Sequence, residues 1–395
     1  MRILQIIPYF PPAYAFGGPV KVAYQISKEL INRGHEVVVY TTDAKDFHSR
    51  LKMSSDNIKG IKVQYFRNIS LTLARKLKLF ITPQLISFER KEVKKFDVIH
   101  LHEYRTFQNI VICHHAREYG VPYILQAHGS LPRIGSWKKL KLIYDIFFGY
   151  KLLKNSSKVV ALSRFEAEQY KAMGVPDEKI AIIPNGIDLS EYTNLPPKGF
   201  FKNKYNIPEE KKIILYLGRI NKTKGIDFLI KAYAYLTKGI GHKDTILVIV
   251  GPDDGYLNEA KALTKTLSTE DSVMFTGPLY SRDKLGAYID AEFYVLPSRY
   301  ETFPMAVLEA YACAKPVVAS NLGGLKNLVL NGKTGLLFET GNFKQLAQNM
   351  LYLLNDKKNL EMGLTGRTFI EKNFSIERVV DRLERLYNEV VSERR

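Results

Sequence analysis

The chain has 395 residues, enough for two or three domains. With 46% hydrophobic and 25% charged residues it is far from a disordered composition. Its two cysteines, Cys113 and Cys313, exclude a disulfide framework and a cysteine zinc site and fit a reducing compartment. The net charge of +18 is uneven: residues 1–190 hold 29 basic and 16 acidic side chains, a balance of +13 that leaves +5 for the rest. A positive first half points to a polyanionic partner, whether nucleic acid, an anionic membrane or a phosphorylated substrate; the alternative is a solvated lysine surface. Met1 to Phe10 is too short an apolar run, and too broken by proline, to read as a signal peptide. No run approaches the roughly 18 apolar residues that span a bilayer.

In chain order, RILQIIPYF reads as a buried strand. PVKVAYQISKELINRG has apolar residues at helical spacing, with Pro19 suited to a first turn and Gly34 to a C-cap. HEVVVYTT closes a β-α-β unit, and IKVQYF, DVIHLH, PYILQAHG, KVVALS and IAIIPNG are further strands. The stretch SEYTNLPPKGFFKNKYNIPEEK reads as a linker, after which the pattern restarts. KKIILYLGR, TILVIVG, SVMFTGP, EFYVLPS, PVVAS and TGLLFE are strands, GIDFLIKAYAYLTKG is a helix, and the tail from Asn342 is helical. Two parallel α/β domains follow: residues 1–190, and residues 200–373, with a C-terminal helix over about 375–395 that can pack back on the first. Ligands of such sheets bind beyond the carboxyl ends of the strands, so the default site is a cleft between two facing domains.

The distinctive stretches lie after strands. Gly17 and Gly18 in FGGPVKVAY let backbone approach a ligand beside a helix N-terminus, or simply make a tight turn. In LYLGRINKTKGIDFLI, Arg219 and Lys224 would converge near the next helix N-terminus, where a diphosphate is well held and its departing charge stabilised; two surface bases are the alternative. Glu301 and Glu309 stand eight residues apart in ETFPMAVLEA, the second inside an apolar run. Pro304 suits the first turn of a helix there. A buried carboxylate needs a partner: Glu309 accepts paired hydroxyls such as a ribose offers, or a neighbouring lysine bridges it. Glu301 can serve a hexose in the same way. His128 in QAHGS either meets a sugar hydroxyl or is a satisfied structural residue. His100 and His102 share a strand face with Glu103 on the other, a poor metal set, and His102 and Glu103 are candidates for the acceptor side. Gly323 and Gly324 offer another close backbone approach, and Pro184–Asp188 a turn.

GRINKTKG, ETFPMAVLEA with its Glu-x7-Glu spacing and SNLGG, in that order, resemble the retaining GT-B glycosyltransferases of family GT4. In the first half, strand–GG–helix, DVIHLH, QAHG, SRFEAEQY and IIPNGID agree, so the likeness covers nearly the whole chain. It implies the GT-B fold, two facing Rossmann-like parallel-sheet domains with an interdomain cleft. It implies transfer of a sugar from a nucleoside-diphosphate sugar to a glycan or lipid-linked saccharide in surface polysaccharide or glycolipid synthesis, without metal or other cofactor and without a side-chain nucleophile. By the same resemblance Arg219 and Lys224 hold the donor diphosphate. Glu309 binds the ribose, and Glu301 the donor sugar with the backbone of Phe303, Pro304 and Met305. His128 touches the sugar near its reacting carbon, and Gly17 and Gly18 border the diphosphate or acceptor. Pro304 replaces a frequent glycine and Asn327 a frequent acid.

Family members of this kind often work at the cytoplasmic face of a membrane. LTLARKLKLF, RKEVKKF and WKKLKLIYDIFFGYKLLK offer a basic, aromatic-rich surface for peripheral binding, or a helix packed on its own domain with lysines outward. Two rival readings are a sugar-nucleotide epimerase of the same fold and a basic nucleic-acid-binding protein. The second lacks any recognition motif, so nucleic acid is not an expected partner.

Overall fold

The computed structural model of the chain describes every residue except 47, 78, 89–91, 136, 357 and 395. It divides into two compact units: Met1–Gly186 together with Ile376–Arg395, and Ile187–Ser375. In the first, the strands are β1 (Arg2–Ile6), β2 (Glu36–Thr42), β3 (Ser55–Ile58), β4 (Ile61–Phe66), β5 (Val98–His102), β6 (Tyr123–Gln126), β7 (Lys158–Ala161) and β8 (Ile180–Ile182). Among the described residues they form one sheet in the order β3-β4-β2-β1-β5-β6-β7-β8. All pairs are parallel except β3 with β4. The central strands are near-continuous apolar runs because helices cover both faces.

The second unit holds β9 (Lys212–Leu217), β10 (Thr245–Val250), β11 (Val273–Gly277), β12 (Ala291–Leu296), β13 (Val317–Ser320) and β14 (Gly335–Phe338), all parallel, in the order β11-β10-β9-β12-β13-β14. In each sheet the winding reverses beside the first strand: β1 has β2 on one side and β5 on the other, and β9 has β10 and β12. Open α/β sheets bind ligands at that reversal, past the carboxyl ends of the strands. The topology therefore singles out the loops after β1 and β5 in one unit, and those after β9 and β12 in the other. Those loops carry Gly17, Glu103, Arg219 and Glu301.

The last helix, Ile376–Ser392, packs within the first unit. Val379, Leu383, Tyr387 and Val390 are buried, and Tyr387 Oη lies 2.8 Å from His100 Nδ1. Arg33 fastens it, donating from Nη1 to Asp381 (2.7 Å) and Glu384 (2.5 Å) and from Nη2 to the Glu377 carbonyl.

Three local readings need correction. The polar stretch 190–211 is not a loose linker: it contains the helix Phe200–Lys204, whose Phe201 is fully buried and whose first amides are capped by Asp290. Strand β3 went unseen because SDNI is polar and exposed; it is held by a two-residue turn in which Lys59 and Gly60 both have positive φ (52° and 90°). Pro304 is not in a first helical turn. Its ψ of 123° is extended, so it caps the helix Met305–Ala312 instead.

Candidate functional site

The loop after β9 is shaped by close backbone approach. Asn221 caps a short turn, Lys222–Lys224, and Gly225 turns the chain into the helix Ile226–Ala234 at φ 69°. A Cβ on Gly225 would stand 1.9 Å from the carbonyl oxygen of Pro297, at the end of β12, so only glycine lets the two loops touch. Arg299 then staples them. Its guanidinium forks onto Asp227, with both N–O distances 2.7 Å, donates to the Lys222 carbonyl at 2.7 Å and lies 3.9 Å over the Phe228 ring. The Asp227 carboxyl, which burial alone would raise, is held below its ordinary value by Arg299.

Arg219 and Lys224 both sit on this loop, but a different acid holds each. Arg219 Nη1 donates to Asp254 Oδ2 at 2.7 Å, and Asp254 in the loop after β10 also accepts from Asn221 through its carbonyl. Lys224 Nζ forms an ion pair with Glu301 Oε1, which also accepts from Ser298 Oγ at 3.0 Å. Glu301 is buried in the loop after β12, and its carbonyl accepts from the amide of Gly324. Lys224 and Glu301 thus meet across the β9–β12 reversal, with the backbone of 303–305 leading into the next helix close by in sequence.

Glu309 is buried within that helix and finds the lysine that the sequence left open as its alternative partner. Lys284 Nζ, from the helix Ser281–Asp290, lies 2.8 Å from Oε1, and the Tyr288 hydroxyl lies 3.4 Å from Oε2. Burial first, and then the Glu309 charge, pushes the Tyr288 phenol well above its ordinary value, so it stays a neutral donor.

In the first unit, β5 and β6 end in a chain of imidazoles. His100 stacks on His102 at 4.1 Å, and His102 Nδ1 lies 2.8 Å from His128 Nε2. His102 Nε2 faces Gln5 Oε1 at 3.0 Å. Burial drives His100 and His128 down to about 3 and His102 well below its ordinary value, so all three are neutral at physiological pH. With the Gln5 carbonyl accepting from His102 Nε2–H, His102 accepts at Nδ1 from His128 Nε2–H, which makes His128 Nδ1 an acceptor. Glu103 does not continue the strand alternation: the chain turns there at φ 65°, and its carboxylate accepts from the Tyr9 hydroxyl at 2.8 Å. Tyr9 stacks on Phe16, which leads into Gly17 (φ 98°) and the helix starting at Gly18.

Sequence reasoning missed three residues that hold these parts. Arg299 carries no local spacing that announces its link to Asp227. Glu166, within the helix Arg164–Ala172, accepts from the Gly129 amide at 2.5 Å and the Leu162 amide at 2.8 Å; burial raises its carboxyl to about 7. Asp145 reads in the sequence as one acid on a basic, aromatic face, yet it is wholly buried. The helix repeat also brings His114, His115 and Glu118 within 4.8 Å of one another, a grouping that reading strand faces alone did not find. Of the basic stretches, residues 78 and 89–91 lie outside the described residues, and no described helix is long and apolar enough to cross a membrane.

Residues 197–387 match the family described as glycosyl transferases group 1, and residues 16–191 match glycosyltransferase family 4. The N-acetyl-alpha-D-glucosaminyl L-malate synthase of Bacillus anthracis is 24% identical over 384 residues, covering 95% of this chain and 94% of that one. The UDP-Gal:alpha-D-GlcNAc-diphosphoundecaprenol alpha-1,3-galactosyltransferase of Escherichia coli is 28% identical over 332 residues, 82% of each chain. Anabaena HepE, solved in complex with UDP and glucose, superposes with a TM-score of 0.79 at 20% identity, covering 98% of this chain and all of that one.

Proposed function

The chain belongs to the family 4 glycosyltransferases of the GT-B fold, and from that membership we propose that it is a retaining hexosyltransferase taking its sugar from a nucleoside diphosphate. The single observation that carries the reading is the meeting of Lys224 and Glu301 at the β9–β12 reversal, with Arg219 on the same loop. An ammonium has three donors and Glu301 engages one. Lys224 can therefore present the rest to the departing diphosphate while Arg219 and the amides that open the helix Ile226–Ala234 take its other oxygens. These donors can meet the charge that gathers on the leaving group, and the proposed reaction uses no metal or other cofactor. Glu309, paired with Lys284, accepts from the ribose hydroxyls. Glu301 orients the sugar, with backbone from Phe303, Pro304 and Met305. His128 offers a neutral acceptor at Nδ1 to a sugar hydroxyl, and Gly17 and Gly18 let the chain approach. His102 and Glu103 border the acceptor.

HepE, of the same fold, binds UDP and glucose, and the E. coli relative acts on a lipid diphosphate saccharide. The first supports a nucleoside-diphosphate sugar as donor and the second a glycan or lipid-linked saccharide as acceptor; the protein is proposed to lie peripherally on the cytoplasmic face of an anionic membrane, a reading that rests on the basic first half of the chain. The test is transfer from a panel of nucleoside-diphosphate sugars to polyprenyl-diphosphate saccharides, with the anomeric configuration of the product read by NMR. Lys224→Ala and Glu309→Ala should each abolish transfer while circular dichroism is unchanged. Undiminished turnover in either variant rejects the assignment of the site.

A further inference from the structure

At the carboxyl end of the first sheet a carboxylate is set against aromatic rings. Glu103 follows β5 with φ at 65°, in the left-handed region that a residue with a Cβ rarely adopts. Its backbone is held there from both sides. The Glu103 amide donates to the Gln126 carbonyl at 2.9 Å, and the Glu103 carbonyl accepts from Asn109 Nδ2 at 2.8 Å. The turn takes the side chain off the β5 alternation and sets its carboxylate on the Tyr9 hydroxyl at 2.8 Å. A strained residue fixed this firmly is one whose side-chain direction matters.

Tyr9, in the loop after β1, is the partly exposed member of an aromatic set. Its ring stacks on Phe16 with centroids 4.8 Å apart and meets Phe80 edge-on at 5.6 Å; Phe16 and Phe80 are buried. Gln108, in the helix after β5, donates to the Phe80 carbonyl at 2.9 Å, so the set is fastened to the strand end that carries Glu103. The loop after β2 adds a second, buried acid, Asp43. The arginines of these loops serve other acids. Arg50 bonds to both Asp43 oxygens (3.0 and 2.9 Å) and to the Asn68 carbonyl at 2.6 Å. Arg105 forks onto Asp145, where a π-helical turn begins, with both distances 2.8 Å, and donates to the carbonyls of Ser130 and Leu131.

We infer that Tyr9 and Glu103 form a subsite for an uncharged sugar unit of the acceptor, and that the pair turns away a carboxylate or phosphate at the same place. The subsite rests on the transferase reading above and narrows its acceptor. A pyranose offers what the two residues complement: an apolar face of C–H groups for the Tyr9 ring, and adjacent hydroxyls for the Glu103 carboxylate. Hydroxyl donors bond more strongly to a carboxylate than to a neutral acceptor. An anion in that position meets Glu103 as a like charge, and Arg50 or Arg105 could neutralise it only by leaving a buried acid unpaired.

Probes matched in shape but not in charge test this. The full chain with UDP is titrated with the methyl glycosides of glucose, galactose and mannose, and with the methyl glycosides of the three matching uronic acids, and binding is read by saturation-transfer NMR. The wild type should bind at least one neutral glycoside, about tenfold or more tightly than its uronide. Glu103→Gln keeps an acceptor and removes the charge, so it should admit that uronide, a gain that loss of structure would not produce. Tyr9→Phe should still bind the neutral glycoside, and Tyr9→Leu should weaken it about tenfold or more. Circular dichroism checks folding; if Glu103→Gln does not fold, the wild-type comparison and the Tyr9 variants decide. Wild-type binding of the uronide as tight as the neutral sugar, or of no neutral glycoside, overturns the subsite. So does a folded Glu103→Gln that still refuses the uronide, or undiminished binding in Tyr9→Leu. Binding is read without turnover, so a chain that shows the expected pattern but transfers no sugar fails the transferase reading alone, and one that transfers preferentially to an anionic sugar fails the subsite alone.

Discussion

Removing Arg299 should loosen the second unit at the point where its two site-bearing loops meet. The guanidinium makes two charge-assisted bonds to Asp227, one bond to the Lys222 carbonyl and a ring contact with Phe228. With the Arg299 side chain 30% exposed and Asp227 14% exposed, the pair is worth more than the roughly 0–1 kcal/mol of a surface bridge. Taking about 2 kcal/mol for the fork, and about 0.5 each for the carbonyl bond and the ring contact, Arg299→Met should destabilise the unit by about 3 kcal/mol. For a unit of this size that lowers its melting transition by about 6–12 °C. Arg299→Lys, a point charge without the fork, should lose about half as much. Asp227 has a depressed folded-state pKa, so the staple contributes fully above the unfolded carboxyl value of about 4 and is lost as pH falls through and below it. The difference between wild type and Arg299→Met should therefore shrink in acid. Calorimetric melting at pH 7 and pH 3, with nucleoside-diphosphate affinity measured alongside, checks each part. A variant that melts within about 0.5 kcal/mol of wild type at pH 7 and binds nucleotide unchanged would show that Arg299 does not hold the two loops together.

Gly225→Ala should be harsher, because the added methyl group meets the Pro297 carbonyl and the residue keeps a positive φ; urea unfolding should show a loss above about 3 kcal/mol, and a neutral result would mean the loops do not touch. The neutral imidazoles of His100, His102 and His128 should give Cε1 proton shifts that stay constant from pH 8 to pH 5, and titration of any of them near 6.5 contradicts their burial. Because these pKa values are depressed, the unfolded chain binds more protons, and stability from this cluster falls as pH drops below about 6.5. Glu166 has the opposite sign: its folded pKa is raised to about 7, so its contribution is lost as pH rises from about 4.5 through 7, and Glu166→Gln should flatten the urea midpoint over that window. An unchanged slope in that variant would show that the carboxyl is ionised throughout.

The parallel α/β class and the strands with their following loops were legible because β1, β5, β9 and β12 are apolar runs followed by glycine, charge and polar residues. A parallel sheet covered on both faces demands the first pattern, and a ligand loop the second. The links that hold the loops were not legible. Arg299 closes on Asp227 and Phe228, some seventy residues earlier in the chain, and no local spacing announces that. Lys284 reaches Glu309 from a different helix in the same way. Asp145 looks like a lone acid on an amphipathic helix until the π turn rotates it inward, and π turns leave no regular period to read. Glu103 was placed by strand alternation, which fails one residue past the end of β5.

The decisive measurement is a crystal structure of the chain grown with UDP. The diphosphate should lie within hydrogen-bond reach of Arg219 and Lys224, with the ribose hydroxyls on Glu309. Nucleotide seated elsewhere, or Glu309 still bound to Lys284 with no ribose against it, would rule this site out.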